Sequence, residues 1–255
     1  MKKTWMILLT IFFIICIGSI AQAHMLWLNV SNSFPKSGET ITIEIGWGHK
    51  FPVHEMVNEQ NIESIFVRDL TGLKLPVEKI GPAKYNFTPK SDGEYEVIAE
   101  LKQGFVSNTP DGRKPGNKKT LNNAVSCIHF MMNAKALIKV GLKDSFTPHK
   151  SGLPIEIFLP ENFKRFKVGD ELVLKVLCQG TPLSGVKFSA TDENTAQQQQ
   201  GKWVQESKSD ANGIVRIKLV SKGHWLFTVS HEMPYKDLSE CDKSLYRTTL
   251  TFHVE

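Results

Sequence analysis

The sequence predicts an all-β protein: two immunoglobulin-like β-sandwich domains in tandem after a cleaved signal peptide. Three observations carry this expectation. Apolar and polar residues alternate in short runs, the period of a half-buried strand, as in Thr40-Ile41-Thr42-Ile43-Glu44-Ile45. Two stretches recur in the second half: residues 38–45 match 169–176, and 90–97 match 220–227. No long helical periodicity follows residue 23. Two copies of one β-domain account for this repeat better than one large domain, and short strands between turn signals are the pattern of a sandwich.

The chain opens with Lys2 and Lys3, an apolar run over residues 5–20, and Ala21-Gln22-Ala23. That order is the mark of a secretory signal, with the small-x-small end read by a signal peptidase. Residues 1–23 are therefore assigned to the signal peptide, residues 24–150 to the first sandwich and residues 151–255 to the second. A retained apolar run acting as a membrane anchor is the rival reading. Its length is marginal for a span, and the Ala-x-Ala end argues against it. With no second long apolar run, the mature form is expected not to span a membrane.

Within the first half, residues 40–45, 63–69 and 93–101 read as strands. Residues 46–55 break the alternation with two Gly and a Pro and read as a loop. Residues 103–121, rich in Gly, Pro, Asn and Lys, read as a long loop, and apolar residues return over 124–140. Residues 147–160 hold three prolines and separate the halves. In the second half, residues 180–185 and 210–213 read as turns, and the Gln run at 197–200 as a hairpin tip.

The formal charge of +5 includes Lys2 and Lys3. No Arg/Lys stripe with interleaved aromatics exists, which argues against a nucleic-acid partner. Past the leader the cysteines are Cys127, Cys178 and Cys241, so at most one internal pair can form, and spacing does not say which. The sequence holds no Gly-x-Ser-x-Gly, P-loop or dinucleotide fingerprint, and its carboxylates are scattered, so an enzyme is not expected.

Histidine carries the chemistry. Cleavage after Ala23 makes His24 the first residue, offering an α-amine and an imidazole that together can chelate a metal ion. The amine's ordinary pKa of about 7.7–8.0 lets a metal displace its proton near neutral pH. His49 and His54, five apart, face one ion only if the segment turns, and Gly46, Gly48 and Pro52 make a turn plausible. Trp47 and Phe51 would wall such a site. His231 follows Trp225, Phe227 and Val229 at every second position, so it ends the apolar face of a strand, reaching either into a core edge or into a cleft between domains. His224 points the other way, with a solvated or packing role. Cys127, His129 and Met131 share a strand face; soft donors of this kind suit Cu(I), but their apolar neighbours favour a packed strand.

With His24 at the cleaved end, Gly46-Trp47-Gly48-His49-Lys50-Phe51-Pro52 after the first strand, and residues 223–231 near the end, the chain resembles the DUF4198 family. That family is described as a periplasmic component of cobalt or nickel ABC-type uptake systems. The resemblance extends over residues 180–185, 210–213 and 246–252. It implies a periplasmic protein that binds Ni(II) or Co(II) and passes it to a membrane importer, with His24, His49 and His231 as ligands and His54 as a further candidate. Two other readings stand beside it. One is a copper protein with a histidine brace, His24 amine and ring plus His49 or His231, for storage or oxidative chemistry; Cu(II) is favoured over nickel and cobalt by the affinity order alone. The other is a non-metal carbohydrate or adhesion module, which predicts histidines far apart.

Overall fold

The computed structural model describes residues 24–53, 55, 57–141, 151–161, 163–199 and 202–255. The signal segment, the division at residue 150, His54 and His149 lie outside the described residues.

The first half contributes β1 (Met25–Val30), β2 (Ile41–Gly48), β3 (Ile62–Asp69), β4 (Lys74–Leu75), β5 (Glu78–Gly81), β6 (Lys84–Phe87), β7 (Gly93–Leu101), β8 (Gly104–Thr109), β9 (Gly112–Pro115) and β10 (Ser126–Val140). The second contributes β11 (Ile155–Phe158), β12 (Glu171–Cys178), β13 (Thr181–Pro182), β14 (Lys187–Asp192), the short helix α1 (Glu193–Gln198), β15 (Gln205–Lys208), β16 (Ile214–Lys218), β17 (Gly223–Pro234) and β18 (Lys243–Val254). The all-β expectation holds. Three local readings do not. Residues 104–115, most of the stretch read as a long loop, form the β8–β9 hairpin, because Phe105-Val106 and the turn before Gly112 supply a strand and a tight reversal that the lysines conceal. The proline-rich connector contains β11, whose Ile155 and Ile157 are buried. Part of the Gln run lies in α1, started by the Asp192 carboxylate accepting from the Asn194 and Thr195 amides.

The strands form three sheets. The first has the order β1-β2-β6-β5, and the third is β11-β12-β13 with β16 on β12. Between them a ten-stranded sheet runs β15-β14-β17-β18-β10-β7-β3-β4, with the β8–β9 hairpin on the free stretch of β10. The two halves join inside this sheet. β10 lies parallel to β18 from Ile128↔Lys243 to Ala136↔Thr251. The first sheet covers one face of the central sheet. There Leu26, Leu28, Ile41, Ile43 and Ile45 meet Val97, Ala99, Ala134, Ala136 and Ile138. The third sheet covers the other face, where Ile155, Ile157, Leu172, Leu174 and Val176 meet Phe188, Trp225, Phe227, Leu250 and Phe252. Residues of both parities on β10 are therefore buried, which explains its unbroken apolar run.

A charged network fastens the seam. Lys135 of β10, only 2% exposed, donates to Glu96 of β7 (2.9 Å) and to Glu156 of β11 (3.2 Å). Arg68 of β3 pairs with Glu96 and donates to the Ser151 carbonyl at 3.0 Å. The Ser151 amide in turn donates to Glu156. Burial pushes the Glu96 carboxyl up, but the charges of Lys135 and Arg68 outweigh it and hold the group below its ordinary value. At the other end of β10, Cys127 is bonded to Cys241, closing 114 residues. Lys119–Asp237 at 2.6 Å and Lys118–Asp242 brace the same corner.

Among the described residues, replacing Lys135 by Met takes the only ammonium from Glu156, which is buried, and leaves Glu96 with Arg68 as its one cation. The expected loss of stability is about 3–5 kcal/mol, read by urea unfolding at neutral pH. Because the folded-state pKa of Glu96 lies below its unfolded value, its contribution is complete above the ordinary carboxylate range. It fades as pH falls through the lower folded value, so the acid branch of the stability curve should be shallower in K135M than in the wild type.

Candidate metal centre

The Gly-Trp-Gly-His segment ends β2, and each of its residues has a distinct job. Gly46 pairs with Trp27 across the β1–β2 ladder. A Cβ on Gly46 would stand 2.0 Å from the Trp27 indole nitrogen, so only glycine admits that fully buried ring. Trp47 faces the start of β1, where the His24 ring stacks on it at 5.1 Å with planes 6° apart. Gly48 adopts φ +126°, in the region that favours glycine, and a Cβ there would touch the Glu55 carboxyl at 3.0 Å. His49 follows, its ring 4.2 Å from that of His24.

The loop after His49 returns on itself. The Glu55 amide donates to the Trp47 carbonyl at 2.8 Å, an isolated antiparallel bridge that carries the Glu55 side chain to the two imidazoles. Glu55 Oε2 lies 3.4 Å from His24 Nε2. Below, Phe51 is buried edge-on against Trp27 at 5.9 Å, in a small cluster with Met25, Ala196 and Leu226. The Asn29 side-chain amide donates to the Pro52 carbonyl at 3.2 Å. The loop is thus seated on both halves of the molecule.

Among the described residues, His24, His49 and Glu55 each bring one donor atom within 4.8 Å of the others. Two imidazoles and a carboxylate at an open surface form a set suited to Zn(II), Co(II), Ni(II) or Fe(II) with positions left open. The His24 and Glu55 side chains are 44% and 56% exposed, so an ion would reach them directly from solvent. His49 Nδ1 is buried without a hydrogen-bond partner, a cost that coordination or an ordered water would relieve.

The structure brings together two of the four histidines expected as ligands. His54 lies outside the described residues. His231 does share the face of Trp225, Phe227 and Val229, but that face turns into the second sandwich's core. The β17 residue beside the loop is instead Leu226, on the opposite face, so His231 is not part of the donor group. His224 occupies the loop side, its ring 5.1 Å from Phe51. Burial, and then His253, push its pKa down to about 4, so it is neutral at physiological pH and packs. His129 is buried between Phe105 and Tyr235, and burial lowers its pKa. Its neighbour Cys127 is spent in the disulfide, which removes the thiolate from any soft-metal set. Glu55 went unread from sequence. Its signal was present: a carboxylate six residues past His49, after a Gly/Pro turn able to bring it back.

Substituting Gly46 by Ala should drive the Trp27 ring from its seat. The expected cost is at least about 1–3 kcal/mol in thermal or urea unfolding, with a shifted tryptophan emission, because no flexible side-chain end is available to yield.

No curated protein matches the chain. Among solved structures it is similar to fibronectin(III)-like modules of Clostridium thermocellum CbhA (12% identity, 88% of this chain and 93% of that one, TM-score 0.21). It is similar also to the D0-D1 domain of Intimin (12% identity, 88% and 96%, TM-score 0.22). The family model described as "Domain of unknown function (DUF4198)" matches residues 21–233, and the chain belongs to that family.

Proposed function

We propose that this chain is an exported transition-metal carrier. In this reading the signal segment is removed in the periplasm and the mature protein binds Ni(II) or Co(II) for delivery to a membrane importer. The observation that supports it is the convergence of His24, His49 and Glu55 on one point. A chance pair of surface histidines would not have one ring stacked on a Trp, the other left with an unpartnered nitrogen, and a carboxylate returned by a backbone bridge. Cleavage before His24 would add the α-amine as a fourth donor. A shallow, open site of three or four donors favours binding and release over catalysis. None of the described helices is long and apolar enough to cross a membrane, in keeping with a carrier separate from its importer.

Copper is the competing cargo. Two imidazoles and a terminal amine suit Cu(II), which the affinity order places above nickel and cobalt. The Glu55 carboxylate weighs toward the harder divalent ions.

The test is a titration of the processed protein, beginning at His24, with Ni(II), Co(II), Zn(II) and Cu(II), beside a form with residues left ahead of His24. Stoichiometric Ni(II) or Co(II) binding is expected, weakened about 10–100-fold in H49A and in E55Q. It should also weaken in the extended form. Absence of binding by the processed protein, or binding indifferent to His49 and Glu55, refutes the proposal. Copper held tightly with oxygen-dependent turnover would move the assignment to an oxidative copper protein.

A further inference from the structure

His24 stands at the head of a strand with a neighbour on one edge only among the described residues, where β1 pairs with β2 alone. The other edge is closed by side chains of β18. The Arg247 guanidinium donates to the His24 carbonyl at 3.0 Å, Thr249 Oγ1 to the Leu26 carbonyl at 2.7 Å, and Thr251 Oγ1 to the Leu28 carbonyl at 2.6 Å. Donors two apart on β18 meet acceptors two apart on β1, each contact spanning 223 positions of sequence. Arg247 is itself steadied by Ser230 of β17, whose hydroxyl accepts from its Nε at 2.8 Å.

The three contacts are not equivalent. Those of Thr249 and Thr251 hold the body of β1. That of Arg247 holds the residue that carries the donors. Fixing the His24 carbonyl fixes its Cα, from which both the imidazole and the α-nitrogen hang by single bonds. Without that anchor, His24 would be placed by ring contacts with Trp47 and His49 and by the Glu55 contact, all of them through its side chain.

We propose that Arg247, a residue of the second half that touches no metal ion, is the positioning residue of the metal centre. It delivers the His24 donors to His49 and Glu55. The inference rests on the carrier reading above and deepens it: the centre is assembled by the last strand of the chain acting on the first.

Co(II) alone, added to the processed protein, is the probe, because its visible absorption reports the ligand set as well as the affinity. Arg247→Met should weaken Co(II) binding by about tenfold or more and change the absorption of the complex. Arg247→Lys, which keeps the charge and one donor, should recover part of both. Thr251→Val removes a contact of the same kind four residues further along, at Leu28; it should lower the thermal midpoint while leaving affinity and spectrum as in the wild type. Unchanged binding and spectrum in R247M, or equal weakening in R247M and T251V, overturns the assignment. If R247M does not fold, wild-type binding and spectrum in Arg247→Gln, whose shorter neutral side chain does not span the same distance, do the same. A wild-type protein that ignores Co(II) defeats the carrier reading and the inference together, whereas a binding wild type with an indifferent Arg247 defeats the inference alone.

Discussion

A row of side-chain donors on β18 meeting the bare carbonyl edge of β1 is the contact on which the arrangement depends. A buried strand edge without partners is costly, because each unpaired carbonyl loses its water and gains nothing. Here the closure comes from hydroxyls and a guanidinium. Thr249 and Thr251 are almost wholly buried, so their hydroxyls have no solvent to return to. The register of β1 is set by its ladder with β2, and the side-chain contacts hold the strand against β18. A slip by one residue would point Leu26 and Leu28 away from the first core and would take His24 out of reach of Trp47.

From that register the remainder of the site follows. β1 in place puts Trp27 opposite Gly46, which only glycine allows. Trp27 then offers its edge to Phe51, and Phe51 holds the loop that carries His49 and Glu55. Leu226 and Ala196 complete the seat from the second half. The loop is short, yet its position is determined by packing on both sandwiches.

Much of this was legible in the chain. Alternation around Ile41, Ile43 and Ile45 marked β2, and the Gly-Trp-Gly-His sequence marked the corner where β2 ends. What stayed hidden has physical reasons. The β8–β9 hairpin is solvated on its outer side, so its lysines and glycines read as loop. Short β11 is buried but lies among prolines, which conceal a four-residue strand. His231 was placed on the correct face of its strand, but periodicity gives a face without saying what covers it. Glu55 depended on a single backbone bridge between residues eight apart, and no periodicity records such a contact.

The parallel ladder between β10 and β18 has a mechanical consequence. Many two-lobed binding proteins take up cargo by swinging their lobes about a flexible hinge. Here the lobes are zipped along nine paired residues, with a buried Lys–Glu cluster beside the zip, and a swing would have to tear that ladder. An ion held by His24, His49 and Glu55 would therefore enter and leave by motions of a few side chains and one short loop, over a scaffold that does not clamp.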